Sequence, residues 1–507
     1  MKIESALEIV GKLDAASKKR LIAYRANLAE DKDGKVFDDR ARDYLVSISK
    51  DGGKLVTEVN NILDSIAWNQ STFTAEMLDM QVERFAAIHV VNRAWRRKFK
   101  SVKQQLLDEV KQFDLQAIQY SSDKDILDAL PRLDTHAGFS YILTGCRKKG
   151  EYTEGLLERF KSEVAAAKAN NSFNKPILLG YRTQSSVPVD PHTGEYAIDY
   201  SDTASLKKTR LVSMIDIYQV LAECIYAVPF QSRLGKTDWY MGGKNDFDIR
   251  RLIFKARGRM TNWISLDYSK YDQSIPAWLI REAFDIVRAA FKEKGFDNEL
   301  FSIIREDFIH KVFITANGLV EAHDGVPSGS MFTQIIDSIV NRLMIDTYMK
   351  SQGLSRYTMF IMGDDNLIFT SQPINAKDIE NYLRKNFGIE MNAEKADQGT
   401  HKQDPLFLSR FWTEFGVFRH PRILIAKLIY PERRREYDKF GFGPETVVEA
   451  YFESFRMGMD RFLNKAAHDA HVNEVKRNAP AGTFLTGLDR YRKLYLDKEI
   501  KSSKHVA

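Results

Sequence analysis

Apolar and polar positions follow different periods in different parts of this 507-residue chain. Apolar residues recur at helical spacing over 3–30 and in stretches of 38–128, which predicts amphipathic helices separated by short turns. Residues 169–209 are rich in Pro, Gly, Ser, Thr and Asp and predict turns and short strands, and a basic strand follows at 206–212. A helix is then predicted at 214–227, before a loop that contains Pro229.

The densest pattern lies between residues 261 and 433. Short strands are predicted at 263–268 and in two hairpins, at 311–322 and 357–369, the first turning through Asn-Gly. Helices are predicted at 277–296 and 332–350, between these strands, and at 378–387, after the second hairpin. This succession predicts a multi-domain α+β fold that contains a small antiparallel sheet backed by helices.

The turn of the 357–369 hairpin carries two adjacent carboxylates, Asp364 and Asp365. Neighbouring acids repel each other, and hard divalent ions such as Mg²⁺ prefer oxygen ligands. An isolated Gly-Asp-Asp turn is more often an ordinary solvated turn, so a metal site needs a further acid. Asp267 ends the 263–268 strand and supplies that acid if the two strands are neighbours. Two metal ions held there can activate a hydroxyl and stabilise a leaving pyrophosphate, which predicts nucleotidyl transfer.

Further polar residues are candidates for binding a ribose. Asp272 can accept a hydrogen bond from a sugar hydroxyl, or it can cap the helix that follows. Thr333, Asp337 and Asn341 share one face of the predicted helix and need partners if they are buried. A ribose 2′-OH would provide a partner, and a self-satisfied polar seam between helices is the alternative.

A loop and two basic clusters complete the candidates. Ser328 and Gly329 supply a hydroxyl and a close-approach backbone where a loop enters the 332–350 helix. Residues 93–100 hold five cations with interleaved aromatic residues, which fits either a phosphate-binding surface or a solvated helical face. The cluster at 433–435 allows the same two interpretations, with product RNA as the ligand.

Composition adds few constraints. A hydrophobic content of 44% with 28% charged residues is ordinary for a globular protein, and the net charge of +6 is compatible with a nucleic-acid partner without requiring one. Cys146 and Cys224 lack metal-site spacing, so neither zinc nor a disulfide framework is expected. No apolar run reaches membrane-spanning length, and a reducing, cytosol-like compartment is expected.

Together the motifs resemble those of viral RNA-dependent RNA polymerases of double-stranded RNA viruses, first the picobirnavirus kind and next the partitivirus kind. The resemblance implies metal ligation by Asp267, Asp364 and Asp365 and proton donation to pyrophosphate by Lys395. It implies nucleotide binding by a larger set, listed here: Arg182, Lys208, Arg210, Asp272, Ser328, Gly329, Thr333, Asp337 and Asn341. Thr135 and Gly138 resemble a template-entry loop, and Arg410 a primer-strand contact. Many related enzymes place Asn where this chain has Asp337, so Asp337 and Asn341 both remain candidates for reading the ribose.

The same resemblance implies a right-hand architecture. Its expected parts are a bridging segment at 1–60, fingers at 61–224, a palm at 225–405 with a fingers insertion near 275–320, and a thumb and tail at 406–507. It also implies two Mg²⁺ ions, for which Mn²⁺ can substitute, and RNA, nucleoside triphosphates and capsid protein as partners. The expected locations are the virion interior and the host cytoplasm. A reverse transcriptase and a non-catalytic RNA-binding protein are the alternatives.

Overall fold

The computed structural model describes a chain with mixed helices and sheets. The described residues are 2–31, 36–48, 54–64, 74–85, 96–183, 192, 209–413, 416–431, 435–437 and 443–448. The predictions for Lys208, for Arg433 and Arg434, and for most of the thumb fall outside these residues. The predicted α+β class, with a small antiparallel sheet backed by helices, is confirmed.

Helices make up most of the described chain. In chain order they are α1 Ile3–Gly11, α2 Ala15–Ala29, α3 Asp39–Ser47, α4 Lys54–Asp64, α5 Ala75–Phe85, α6 Arg96–Lys111, α7 Asp123–Ala129, α8 Ser140–Thr144, α9 Leu156–Asn170, α10 Ile217–Leu234, α11 Asp246–Arg257, α12 Tyr271–Ser274, α13 Ala277–Ala289, α14 Asn298–Ile309, α15 Thr333–Ser351, α16 Ala376–Phe387 and α17 Pro421–Ile429.

The strands form three sheets. In chain order they are β1 Ile177–Thr183, β2 Thr209–Met214, β3 Asn262–Ser265, β4 Lys311–Ile314, β5 Leu319–Ala322, β6 Tyr357–Met362, β7 Asp365–Thr370, β8 Asp397–Thr400, β9 Leu406–Phe407, β10 Arg410–Thr413 and β11 Gly416–Phe418. The sheet orders are β2-β1-β4-β5, β6-β7-β3-β8 and β11-β10-β9. Both predicted hairpins, β4–β5 and β6–β7, are confirmed.

The β6-β7-β3-β8 sheet is antiparallel throughout and buried on both faces. Successive side chains of a strand point to opposite faces. Ile361 and Ile368 therefore join the core shared with α13 and α15, whereas Phe360 and Leu367 join the cluster that contains α11. Because β3 pairs with β7, the segment after β3 is brought beside the β6–β7 turn.

Helix α10 extends seven residues beyond the predicted end at 227 and passes through Pro229. Proline lacks the amide hydrogen that would bond the carbonyl four residues earlier, so a helix break was expected. Here the Ile225 carbonyl accepts a hydrogen bond from the Ile118 amide instead, at 3.1 Å. The prediction of a loop at Pro229 is wrong because a distant segment satisfies that carbonyl.

Other helix boundaries differ more simply. Helix α13 ends at Ala289 rather than near 296. Helices α11 and α14 were not predicted, although Asn245 and Asp297 cap their first turns by accepting backbone hydrogen bonds. Among the described residues, no helix combines the length and the apolar character that a membrane span needs.

The N-terminal helices contact two separate parts of the chain. Arg20 of α2 donates to the carbonyl oxygens of Ile142 and Leu143, at 2.7 and 2.6 Å, beside the β1 sheet. Helices α3 and α4 pack instead on α17, where Glu58 pairs with Arg422 at 2.8 Å. The first 64 residues thus join the β1 region to the beginning of the C-terminal region.

Candidate active site

The β6–β7 hairpin turns through only two residues, Gly363 and Asp364. Met362 pairs with Asp365 across the strands, so Asp365 is the first residue of β7. Gly363 has φ +67°, a left-handed conformation that fits glycine at the first position of a tight hairpin turn. Both acids are exposed at the end of the sheet.

The turn is fastened to α15 by two buried side chains. The Asn341 amide donates to the carbonyl oxygens of Gly363 and Asp364, at 3.0 and 3.3 Å, and its oxygen accepts from the Tyr268 hydroxyl at 3.0 Å. The Gly363 amide donates to the Ser338 hydroxyl at 2.8 Å. Because the Asn341 side chain is fully buried and so engaged, it fixes the position of the turn.

Asp267 lies two residues beyond β3, which ends at Ser265 rather than at 268. Its position is fixed from both sides of the strand. The Leu266 amide donates to the side-chain oxygen of Asn366 in β7 at 3.2 Å, and the Asp267 carbonyl accepts from the Asn392 amide at 2.9 Å. Asp267 is exposed on the same edge as the hairpin turn.

The charges of Asp364 and Asp267 both act on Asp365. Loss of solvent, together with the charges of Asp364 and Asp267, raises the pKa of Asp365 to about 7, while Arg210 acts in the opposite direction. A nearby divalent cation would relieve this repulsion, and oxygen-only donors suit Mg²⁺.

Within the described chain, no group of three or more His, Cys, Asp or Glu side chains is placed closely enough to hold a metal ion. Catalytic Mg²⁺ commonly takes only one or two protein carboxylates and keeps water or substrate phosphates as its other ligands. The exposed, mutually repelling carboxylates therefore fit such an ion, with the substrate needed to complete its coordination.

Asp272 and Asp337 lie behind this edge. Burial and the charge of Asp364 raise the pKa of Asp272 to about 6, and Arg210 lowers it. The alternative role of Asp272 as a helix cap is wrong, because Lys270 precedes α12 and Asp324 accepts from the first amide of α13.

The carboxyl of Asp337 is buried. Burial raises its pKa well above the usual value, with further contributions from the charges of Asp272 and Asp364. Its Oδ1 has no hydrogen-bond partner among the residues that the structure describes. A buried polar oxygen without a partner is costly, so this atom marks a position where a ligand hydroxyl can bind.

The loop before α15 is docked on β2. The Ser328 hydroxyl accepts from the Ser213 amide at 3.0 Å and donates to the Leu211 carbonyl at 3.4 Å. A Cβ on Gly329 would lie 1.9 Å from the Ser213 carbonyl oxygen, so only glycine allows this approach. Thr333 donates to the carbonyl of Pro327, at 2.8 Å, which gives it a loop-closing role.

Two arginines face each other across the β1–β2 pair that this loop contacts. Arg182 and Arg210 occupy paired positions of the antiparallel register, and both are exposed. Like charges directly opposite each other destabilise a sheet. Their placement is explained if an anion binds between them, and the effect of Arg210 on the pKa of Asp272 and Asp365 shows that it is near the acids.

Lys395 is exposed in a short 3-10 helix, Ala393–Lys395. Asn392 begins that turn and is the residue whose amide donates to the Asp267 carbonyl. The backbone thus ties the segment that carries Lys395 to the acidic edge.

The predicted RNA contacts have more local partners. Gly138 is buried, and its Cα packs against the backbone of Ile215 and Asp216, so it positions the loop rather than presenting a surface to RNA. Thr135 is half-buried in the same loop and donates to the Arg132 carbonyl. Arg410 pairs with both carboxylate oxygens of Asp246, at 2.7 and 2.8 Å. This ion pair reduces the positive charge that Arg410 can offer to an RNA strand.

Sequence reasoning missed a buried acid behind the loop. Glu223 of α10 accepts hydrogen bonds from the Ser330 hydroxyl and the Met331 amide, each at 2.8 Å. Burial raises its pKa to about 7 despite these bonds. The sequence signal for this residue was an acid among the mainly apolar positions of α10. In the structure, Glu223 links α10 to the loop before α15.

Comparisons with known proteins agree with this geometry. A family model described as viral RNA-dependent RNA polymerase matches residues 56–428. The RNA-directed RNA polymerase of Cryptosporidium parvum virus 1 is 29% identical over 202 residues, covering 38% of this chain and 36% of that protein. The RNA-directed RNA polymerase of Atkinsonella hypoxylon virus is 32% identical over 148 residues, covering 26% of this chain and 22% of that protein. The aligned parts thus span 36% and 22% of the length of these two relatives.

A solved structure matches nearly the whole chain. The crystal structure of the RNA-dependent RNA polymerase of a human picobirnavirus superimposes with a TM-score of 0.60. The match covers 95% of this chain and 96% of that chain at 14% sequence identity. At this identity the match establishes the fold, and the roles of individual residues must be argued from the site itself.

Proposed function

Because the chain belongs to the viral RNA-dependent RNA polymerase family, we propose that it adds templated ribonucleotides to an RNA 3′-OH and thereby replicates and transcribes a viral RNA genome. One observation carries the proposal most. Asp267, Asp364 and Asp365 share one sheet edge, within electrostatic reach of Arg210. Acids beside a cation on a neighbouring sheet suit a metal-bound triphosphate.

In the proposed reaction the RNA 3′-OH attacks the α-phosphorus of the nucleotide, and pyrophosphate leaves. Two Mg²⁺ ions, replaceable by Mn²⁺ and held by Asp267 and Asp364 with Asp365 auxiliary, would activate the hydroxyl and stabilise the leaving group. Arg210 and Arg182, with Lys208, would hold the triphosphate through charge-assisted hydrogen bonds. Lys395 would donate a proton to the leaving pyrophosphate.

Selection of ribose follows from the polar residues behind the acids. The Oδ1 of Asp337, which has no hydrogen-bond partner in the described part of the chain, and the carboxyl of Asp272 would bind the sugar hydroxyls. Burial raises the pKa of Asp337 well above its usual value, which favours the protonated carboxyl, a form that can donate as well as accept. A protonated Asp337 would reproduce the donor that Asn supplies at this position in many related enzymes.

The remaining parts keep the proposed right-hand division. Residues 1–60 would bridge fingers and thumb, which is supported by the contacts of α2 with α8 and of α3 and α4 with α17. Fingers at 61–224, a palm at 225–405 and a thumb at 406–507 complete it, with Thr135 at the template entry. Capsid protein as a partner, and the virion interior and host cytoplasm as locations, are proposed on the resemblance alone.

Primer extension tests the proposal. Wild type is expected to extend an RNA primer on an RNA template with ribonucleotides and Mg²⁺, and Asp364→Ala is expected to abolish product. Asp128→Ala, which removes an exposed acid from α7, is the matched control and should retain full activity. Product from deoxyribonucleotides alone would favour a reverse transcriptase, and RNA binding without product from wild type would favour a non-catalytic protein.

A further inference from the structure

A basic groove lies between α6, α15 and α16, outside the candidate active site. Its volume is about 1080 Å³, and four cations line it: Arg97, Lys98, Lys350 and Lys385. Asp378 is the acid in the lining. The helices that form the groove are packed together beneath it, because Phe99 of α6 is buried with its ring centroid 6.3 Å from that of Phe387 on α16.

None of these four cations forms a salt bridge with an acid in the part of the chain that the structure describes. Lys98 donates to the Ser351 carbonyl at 3.2 Å, and Lys350 to the Ser101 hydroxyl at 2.5 Å. Neighbouring cations on the same helices behave differently. Lys377 and Arg384 of α16 both pair with Glu380, for example. The groove thus collects cations whose charge is not neutralised locally.

The groove is separate from the acidic edge. Asn341 contacts the Gly363–Asp364 turn, and Lys350 lies nine residues further along α15. At a rise of 1.5 Å per residue this separation is about 13 Å along the helix axis. Strand β6 begins at Tyr357 near this end and runs to Met362 at the catalytic turn. A ligand in the groove therefore binds near the end of β6 that is opposite the Gly363–Asp364 turn.

We propose that this groove binds the phosphodiester backbone of single-stranded RNA at a second site, holding a strand outside the catalytic cleft. The cations would contact phosphates, and the hydroxyl and amide groups of Ser101, Asn381 and Gln352 would add hydrogen bonds of the kind that phosphates accept. The preference for RNA over an acidic polypeptide rests on the proposed function, since RNA is then both template and product.

Fluorescence anisotropy with a labelled oligouridylate tests the proposal. The catalytic cleft is first saturated with an unlabelled primer–template hairpin. The double variant K350Q/K385Q is compared with K377Q/R384Q, which removes the same charge from residues that are already paired. Each phosphate contact on a single strand contributes ~0.7 to the slope of log binding constant against log salt concentration. Losing two contacts therefore lowers this slope by about 1.4 and weakens binding at 0.1 M salt about 25-fold. The control is expected to match wild type.

Equal binding by wild type and K350Q/K385Q would overturn the proposal, as would equal weakening in both double variants, which would indicate a general charge effect. A glutamate-rich peptide that binds wild type and is lost in K350Q/K385Q, while RNA binding is unchanged, would assign the groove to an acidic protein instead. Because binding is measured without catalysis, hairpin extension in the same samples separates failure of this site from failure of the proposed polymerase activity.

Discussion

Replacing Asn341 with alanine separates a residue that holds the catalytic turn from one that reads the ribose. The side chain is fully buried and donates to the Gly363 and Asp364 carbonyls at 3.0 and 3.3 Å. Each lost hydrogen bond costs about 1 kcal/mol. The Tyr268 hydroxyl, which donates to Asn341 at 3.0 Å, would lose that buried acceptor at a further cost of about 1 kcal/mol. The free energy of unfolding should fall by about 3 kcal/mol.

The catalytic consequence follows from the released turn. A displacement of about 1 Å at a reacting group can cost about 100-fold in rate, so Asn341→Ala should lose about 100-fold for ribonucleotides and deoxyribonucleotides alike. Urea unfolding and single-nucleotide extension with both sugars measure the two effects. Asp337→Ala is the comparison, since it should relax sugar discrimination. Unchanged stability together with lost sugar discrimination in Asn341→Ala would refute the turn-holding role.

Two further predictions concern the loop before α15. Gly329→Ala places a Cβ 1.9 Å from the Ser213 carbonyl oxygen, so the KM for nucleotide in extension assays should rise about tenfold or more and the free energy of unfolding should fall by about 1–3 kcal/mol. Gly318→Ala, with open space around it, is the control and should match wild type. Equal KM values in both variants would contradict the docking of the loop on β2. Burial raises the pKa of Glu223 from 4.5 to about 7, so the folded chain retains a proton that the unfolded chain releases, and stability from this group falls as pH rises from 4.5 through 7. Between pH 4 and pH 8, the free energy of unfolding of Glu223→Gln, measured with urea, should therefore rise by about 3 kcal/mol relative to that of wild type. Lys149 and Cys224 are the other titratable groups nearby. An identical pH dependence in both proteins would exclude this effect.

Local patterns in the sequence were enough to locate the β6–β7 hairpin. Two short apolar runs on either side of a glycine and two acids predict β6, β7 and their turn, and the structure has all three. That Asp267 lies beside this turn depends on β3 pairing with β7, which local periodicity does not specify. The order of motifs shared with a known family supplied that long-range information.

The roles of the polar residues on α15 could not be predicted from their spacing. Asp337 and Asn341 share a helical face, but only the structure shows that the Asn341 amide bonds to the turn and that an oxygen of Asp337 has no partner among the described residues. Pro229 makes the same point for the fold, since its tolerance within α10 depends on the Ile118 amide, more than a hundred residues away. Tertiary partners decided each case.

The central claim is that the acids at the edge of the β6-β7-β3-β8 sheet hold divalent ions for nucleotidyl transfer. Counting bound Mn²⁺ by electron paramagnetic resonance, with a non-hydrolysable ribonucleotide and primer–template RNA present, tests it most directly. Wild type is predicted to bind two ions, and Asp364→Asn and Asp267→Asn are each predicted to lose at least one. The same number of tightly bound ions in wild type and both variants would contradict the account.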